Sequence, residues 1–231
     1  MRLTRSKICG ITDPESALVA AESGADAIGL VFVEKSPRCI TVEQAHKIVD
    51  VLPAFVQPVG LFVNAPVDHV RQTAIELGLR TVQLHGDESP DDVSALAPLR
   101  VIKALAFKSR DISSTLEKWR PPPHNLAGIL FDAPPKGHEL PGGSGTTFDW
   151  DALATLTHSG LLAGLPPTIL AGGLTPANVG DAIELVAPYA VDVSSGVESS
   201  RGVKDHDLIH TFGRAVQAAD AKRFQHQTPA G

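Results

Sequence analysis

The sequence predicts a single (β/α)8 barrel with an active site at the C-terminal ends of its strands. Eight apolar runs rich in β-forming residues, each ended by a small or polar residue, recur at intervals of roughly 20 to 40 residues, the spacing of βα units. Helix-start signals lie between them, and 231 residues is close to the length of about 250 that is typical of this barrel. The same crossovers also permit an open doubly wound sheet, but eight repeats favour the closed barrel.

The predicted strands are short and apolar. Alternation along the first of them places Lys7 and Cys9 on the same face. The eight ranges are Lys7–Cys9, Ala27–Val33, Val59–Val63, Thr81–Leu84, Val101–Ala106, Gly128–Asp132, Thr168–Ala171 and Val191–Ser194.

The predicted helices begin with capping and proline signals. Thr41 and Gln44 form a capping box, and apolar residues then follow at helical spacing. Thr12 or Asp13 caps the first helix, and Pro14 suits an early helical position. Comparable starts stand at Pro66, at Ser89–Pro90 and at Thr175–Pro176, the last of them before a helix predicted over Ala177–Val186.

Two segments depart from the repeat. Residues 133–147 are rich in Pro and Gly and too long for a simple βα turn, so we interpret them as an active-site lid. We expect residues 1–218 to form the barrel as one catalytic domain, and residues 219–231 to form a disordered tail.

Composition excludes several classes of protein. The formal net charge is −6 and no long basic run occurs, so no nucleic-acid partner is expected. No stretch reaches the roughly 18 apolar residues of a membrane helix, and no apolar signal segment follows the basic N-terminus, so we expect a cytoplasmic protein without membrane contact. Cys9 and Cys39 form neither a disulfide framework nor a metal-thiolate pattern, and no histidine pair has metal-ligand spacing beside a carboxylate, so no metal is predicted.

Cys9 and Asp132 are the candidate catalytic residues, because each ends an apolar strand on the side where barrel active sites form. A Cys9 thiolate could act as a base in electropositive surroundings, for which Lys7 and Arg38 are candidate sources of charge. A carboxyl group at the rim of an apolar strand suits an acid. Each residue also has a structural interpretation, as a buried thiol and as a helix cap or ion-pair partner.

Glycine and serine residues follow the last two predicted strands. Barrels of this kind commonly bind a phosphate there through backbone N–H groups and a helix N-terminus. We therefore predict a phosphate site, with a simple tight turn as the alternative for the two glycines. The residues are Gly172, Gly173, Ser194, Ser195 and Gly196.

Two further side chains follow predicted strands. Arg38, beyond the second strand, could bind a substrate carboxylate in bidentate fashion, or could be an exposed arginine. His85 ends the fourth strand, where it could be a structural histidine or a substrate contact.

Taken in order, these stretches resemble the phosphoribosylanthranilate isomerase family of tryptophan biosynthesis over residues 7–212. Each motif is weak alone, but their number and order are specific because they fall on successive strand ends. They are Lys7–Ile11, Gly29–Phe32, Ser36–Arg38, Gly60–Asn64, Gln83–Gly86, Leu130–Asp132, Gly142–Gly145, Phe148–Trp150, Ala171–Leu174 and Asp192–Glu198.

The resemblance implies an aldose–ketose isomerase that performs an Amadori rearrangement on a phosphorylated small molecule. It implies Asp132 as the general acid that protonates the furanose ring oxygen, and Cys9 as the general base that takes the C2 proton. Arg38 would hold the anthranilate carboxylate, and the loops at Gly172 and Ser194 would hold the phosphate. Only protons move, so no cofactor is expected, and we expect a monomer or a homodimer.

One position departs from the family pattern, and four other functions remain open. Thr146 stands where the family's lid commonly has a lysine, so we expect the lid to close mainly through its backbone. A related indole-forming synthase would want a catalytic Lys and Glu at strand ends, and a histidine-pathway isomerase would want an Asp in place of Cys9. An isomerase acting on both substrates is a further alternative. A non-catalytic barrel that binds a phosphorylated metabolite would not need Cys9 and Asp132 together.

Overall fold

The computed structural model describes residues 4–134 and 148–227, which form a (β/α)8, or TIM, barrel. Eight parallel strands pair in chain order, and the last pairs with the first to close the sheet, which confirms the predicted fold. The strands are β1 (Arg5–Cys9), β2 (Ala27–Val31), β3 (Gln57–Phe62), β4 (Thr81–Leu84), β5 (Arg100–Ala106), β6 (Leu126–Asp132), β7 (Thr168–Leu170) and β8 (Ala190–Val193). The helices are α1 (Pro14–Glu22), α2 (Val42–Val49), α3 (Val67–Glu76), α4 (Pro90–Ala95), α5 (Ile112–Glu117), α6 (Trp150–His158), α7 (Val179–Val186) and α8 (His206–Gln227).

A short excursion separates β8 from α8. It consists of a 3-10 turn, Ser195–Val197, and an antiparallel hairpin of β9 (Glu198–Ser200) and β10 (Val203–Lys204). The sequence did not predict this hairpin, because its strands are too short and polar to show a periodic apolar pattern.

Strand alternation separates two environments in the barrel. Ile8 packs outward in the large core between strands and helices, together with Ile28 and Phe131. Its neighbours Lys7 and Cys9 belong to the opposite, inward face of β1. Polar groups therefore lie inside the barrel, where burial in a medium of low dielectric constant is costly unless each group has a hydrogen-bond or ion-pair partner.

Helix caps match the sequence signals with one correction. In α2 the Thr41 N–H donates to the Gln44 side chain at 2.8 Å, and the Gln44 N–H donates to the Thr41 hydroxyl at 3.2 Å. Helix α7 begins at Val179, later than the predicted Ala177. The delay has a local cause, because the Asn178 side-chain oxygen accepts a bond from the Thr175 N–H and holds the preceding residues in a turn.

The last helix is tied to the first strand of the barrel. It continues past Ala218, where the sequence suggested the start of a tail, to Gln227. Ala219 is buried, and the Asp220 carboxylate accepts bonds of 2.8 Å from both the N–H and the hydroxyl of Thr4. This contact explains why the helix does not end at 218.

Three predictions concern features that bear on function. Of the predicted lid, residues 135–147 lie outside the described residues, and Thr146 is among them. None of the described helices is both long and apolar enough to span a lipid bilayer. Within residues 4–134 and 148–227, no cluster of three His, Cys, Asp or Glu side chains has the arrangement of a metal site.

Candidate active site

An open cavity lies at the C-terminal ends of the strands. All but one of the predicted site residues line it: Cys9, Arg38, His85, Asp132, Gly172, Gly173, Ser194 and Ser195. Gly196 is the exception, since it packs directly against the backbone of Leu174 behind the wall.

Cys9 lies at the end of β1, in an apolar part of the wall. Its side chain packs with Val31 and Leu61, and the residue is 5% exposed. Burial raises the pKa of the Cys9 thiol, while the Lys7 ammonium acts in the opposite direction. The thiol is therefore protonated at neutral pH, and its conversion to a thiolate depends on nearby positive charge.

Lys7 supplies that charge from the same face of β1. Its ammonium forms a buried ion pair of 2.7 Å with the Asp192 carboxylate on β8. Burial alone would lower the pKa of Lys7, but Asp192 and Cys9 raise it on balance, so the side chain stays charged. The pair joins the first and last strands directly beneath the cavity.

Gly29 makes room for the thiol and the ammonium. A Cβ atom at this position of β2 would lie 2.7 Å from the Cys9 sulfur and 3.2 Å from the Lys7 nitrogen. Contacts of this length are shorter than packed atoms allow. The absence of a side chain at Gly29 therefore allows both groups to occupy the barrel interior.

Asp132 lies across the cavity, at the end of β6, and is held by one hydrogen bond and one contact with a histidine. Its Oδ1 accepts from the Ala133 N–H at 2.7 Å, and its Oδ2 is 3.2 Å from Nε2 of His85. The other ring nitrogen of His85 is 3.1 Å from the Gln83 amide nitrogen. Because that amide is a donor, the pattern assigns the ring proton to Nε2, which faces Asp132.

Arg38 is held in place by a carboxylate that the sequence did not single out as a site residue. Glu198 on β9 receives a bidentate contact from Arg38, with distances of 2.6 and 2.8 Å. It also accepts from the Lys204 ammonium at 2.8 Å and from the Gly202 N–H at 3.1 Å. Burial alone would raise the pKa of Glu198, but Arg38 and Lys204 lower it on balance, so it remains a carboxylate.

A further buried ion pair braces the loop after β4. Lys103, within the apolar strand β5, donates to Glu88 at 2.9 Å and to the Gly86 carbonyl at 2.6 Å. Glu88 in turn accepts from the Gly86 N–H at 2.9 Å, which fixes the residue next to His85. The sequence signal for this pair was a lysine in the middle of an otherwise apolar strand.

The glycine and serine loops after β7 and β8 expose backbone to the cavity. Gly172 and Gly173 have φ angles of +76° and +68°, a conformation that favours glycine. A side chain on Gly172 would also approach the Ala133 nitrogen to 2.7 Å. The 3-10 turn begins at Ser195, and the first N–H groups of such a turn have no partner within it. These loops can therefore offer N–H donors to an anion.

The fold and the cavity define a (β/α)8-barrel enzyme whose site combines a thiol, a carboxylate and anion-binding loops. Comparison with known proteins identifies the family within this class of enzymes. The sequence model of the N-(5'-phosphoribosyl)anthranilate (PRA) isomerase family matches residues 6–215. The chain belongs to this family.

Relatives and solved structures agree with that assignment. An N-(5'-phosphoribosyl)anthranilate isomerase of Pseudomonas fluorescens is 50% identical over 94% of this chain and 97% of its own length. One of Geobacter sulfurreducens is 51% identical over 93% of this chain and 99% of its own. The crystal structure of the Thermotoga maritima isomerase superposes with a TM-score of 0.81 at 39% identity, and covers 94% of this chain and 100% of its own.

One related crystal structure contains a ligand. It is a phosphoribosylanthranilate isomerase in complex with reduced 1-(o-carboxyphenylamino)-1-deoxyribulose 5-phosphate. That structure has a TM-score of 0.79 at 39% identity, and covers 94% of this chain and all of its own.

Proposed function

We propose that this chain converts N-(5-phosphoribosyl)anthranilate to 1-(2-carboxyphenylamino)-1-deoxyribulose 5-phosphate in tryptophan biosynthesis, with Asp132 as general acid and Cys9 as general base. Membership of the family supports the reaction. One observation carries the two roles: the thiol and the carboxylate lie in the walls of the same cavity, at the C-terminal ends of β1 and β6. An Amadori rearrangement needs one group to donate a proton and another to remove one.

The first step opens the sugar ring. Asp132, as the carboxylic acid, protonates the furanose ring oxygen, the C1–O bond breaks, and the lone pair of the anilino nitrogen forms an iminium ion. The hydrogen bond from the Ala133 N–H and the nearby Nε2 of His85 then stabilise the carboxylate that remains. His85 acts here as a positioning residue, because its bond with Gln83 fixes which ring nitrogen faces Asp132.

The second step removes the proton from C2. The Cys9 thiolate takes it, and the electron pair of the C–H bond neutralises the iminium and gives an enolamine. Lys7 stabilises the thiolate from below, and the cationic iminium does so from the substrate side. The 2-hydroxyl then loses its proton as C1 gains one, which yields the ketone. Only protons move, so the atoms balance without a cofactor.

Two anion sites orient the substrate. Arg38, fixed by Glu198, binds the anthranilate carboxylate through the part of its guanidinium that Glu198 leaves free. The loop N–H groups at Gly172, Gly173, Ser194 and Ser195, which line the cavity, bind the phosphate. The ligand in the related crystal structure carries both a carboxyl and a phosphate group, which supports a site with two anion-binding ends.

The test is turnover of phosphoribosylanthranilate generated in situ. The wild-type protein should be active, and Cys9→Ala and Asp132→Asn should each lower kcat/KM by at least about 10²-fold. Folding of each variant is checked by circular dichroism and urea unfolding. If either variant keeps activity within a few-fold of wild type, the residue replaced in that variant is not the general acid or base. A comparable kcat/KM for the histidine-pathway aminoaldose would replace the single-substrate proposal with a dual one.

We also propose that the enzyme works in the cytoplasm as a monomer or a homodimer. The isomerase of Thermotoga maritima is dimeric, and a crystal structure of monomers generated from it is also known. Light scattering over a range of protein concentrations tests the oligomeric state, and a higher oligomer would overturn this part of the proposal.

A further inference from the structure

Arg201 stands at the tip of the β9–β10 hairpin and lines the active-site cavity. Ser36, Pro37 and Arg38, from the loop after β2, line the same cavity. Arg201 itself is exposed to solvent. The hairpin thus contributes a second guanidinium to the cavity that contains Arg38.

The tip of the hairpin is fixed against that loop. Gly202, next to Arg201, has a φ angle of +87°, and a Cβ atom there would lie 2.6 Å from the Pro37 carbonyl oxygen. The Gly202 N–H also donates to Glu198, the carboxylate that holds Arg38. The backbone next to Arg201 is therefore held close to the loop that carries Arg38.

The charge of Arg201 has no internal counterion in the described part of the chain. No carboxylate among those residues forms an ion pair with it, whereas Arg38 and Lys204 share Glu198. Arg38 and the hairpin thus carry three cations and one carboxylate, and two of those cations pair with the carboxylate. The excess positive charge suits an anionic group of a ligand.

We propose that Arg201 is a second cation for the substrate carboxylate and helps to select substrates that carry one. This inference rests on the proposed function, because it needs a substrate with a ring carboxylate near Arg38. Two of the N–H donors of Arg38 are bound to Glu198. A second guanidinium therefore supplies further N–H donors for the substrate carboxylate. Since Arg201 is exposed, it acts on substrate capture more than on the chemical steps.

The first test compares Arg201→Ala with Arg80→Ala in steady-state turnover. Arg80 is an exposed arginine just before β4, at the opposite end of the barrel, so its replacement removes the same charge far from the cavity. Arg201→Ala should raise KM by about 3- to 10-fold with little change in kcat, the size expected for an exposed charge pair. Arg201→Glu should raise KM further, whereas Arg201→Lys, which keeps the positive charge, should have a KM close to that of wild type. An unchanged KM in Arg201→Ala and Arg201→Glu would overturn the proposal.

The second test separates the carboxylate from the phosphate. Two stable ligands are titrated calorimetrically: reduced 1-(o-carboxyphenylamino)-1-deoxyribulose 5-phosphate, and its anilino counterpart without the carboxyl group. Arg201→Ala should weaken binding of the first by about 3- to 10-fold and leave the second unchanged. Equal weakening of both would assign Arg201 to the phosphate or to a general field, and would overturn the carboxylate assignment.

Wild-type protein distinguishes this inference from the proposed function. If the wild type turns over phosphoribosylanthranilate and binds the carboxylated ligand, but Arg201 variants behave like Arg80→Ala, only the inference fails. If the wild type neither reacts nor binds, the proposed function fails first.

Discussion

Replacing Lys7 with methionine should impair Cys9 as a base, because the Lys7 ammonium favours the thiolate. A Cβ atom built on Gly29 is 2.7 Å from the Cys9 sulfur and 3.2 Å from the Lys7 nitrogen, so these two atoms are at most about 6 Å apart. At an effective dielectric constant near 20, two unit charges at this distance interact by about 3 kcal/mol. Loss of the ammonium should therefore reduce the thiolate population at pH 7 by about 10²-fold.

The direction of the change in the Cys9 pKa follows from the charge of the thiolate and of its neighbours. Lys7 favours the thiolate, so its removal raises the pKa of Cys9 further above the ordinary value, and Asp192, left without its partner, acts in the same direction. Because the thiol is protonated at neutral pH in both proteins, kcat/KM of Lys7→Met should be about 10²-fold below wild type at pH 7, and both should rise by about tenfold per pH unit until the wild type levels off at its lower pKa. The double variant Lys7→Met/Asp192→Asn removes the unpaired carboxylate and should lie between the single variant and wild type.

Two assays check this prediction. The pH profile of kcat/KM is measured from about pH 6 to 9.5, across the ordinary range of a thiol, and urea unfolding shows that each variant is folded. In a Cys39→Ser background, where Cys9 is the remaining thiol of the chain, the rate of alkylation by iodoacetamide reports the thiolate directly. A lowered kcat/KM with an unchanged rate of alkylation would show that Lys7 acts only on structure.

Three other substitutions test the supporting contacts. Gly29→Ala should lower kcat by at least about 10-fold, because the added methyl group would displace the Cys9 sulfur, and a small displacement of a reacting group is costly. Glu198→Gln should raise KM by about 10-fold, since the guanidinium that it orients loses a charged partner. The pKa of Glu198 is lowered in the fold, so its ion pairs stabilise the protein above about pH 4.3, and this stabilisation is lost as the pH falls through the folded pKa. In urea unfolding, the free energy of unfolding should therefore fall less steeply with decreasing pH in Glu198→Gln than in wild type. Lys103→Met should lower the free energy of unfolding by about 3 kcal/mol or more, because Glu88 is left buried without its cation.

Matched substitutions on the surface serve as controls. Gly180→Ala adds a methyl group where nothing lies within 4 Å, so turnover should not change. Glu43→Gln and Lys47→Met break an exposed pair within α2 and should leave KM and unfolding close to wild type. If Gly29→Ala, Glu198→Gln or Lys103→Met behaves like its control, the contact assigned to that residue does not contribute as described.

The barrel could be predicted from the sequence because its signals are local. Apolar runs mark the strands, and each observed strand differs from its predicted range by at most two residues at either end. The capping box of Thr41 and Gln44 lies within one helical turn, so the sequence alone displays it. The start of α7 was misplaced because a bond between the Asn178 side chain and the Thr175 backbone competes with the helix.

The sequence predicted Cys9 and Asp132 as candidates because strand ends converge in any parallel barrel. It did not predict Glu198 as the partner of Arg38, since 160 residues separate the two and their contact depends on the hairpin after β8. Arg201 was missed for the same reason: in the sequence it is an arginine in a polar turn. Pairings of this kind depend on the closed fold and leave no local pattern.

The pairing of Lys7 on β1 with Asp192 on β8 has a consequence for the order of assembly. The two residues are 185 positions apart, and the strands that carry them are the first and last of the barrel, which pair to close the sheet. A partly folded chain without β8 would leave the Lys7 ammonium without its counterion and one edge of β1 unpaired. Competence for proton transfer would then arise together with closure of the sheet, so recovery of activity during refolding should coincide with formation of the β1–β8 seam.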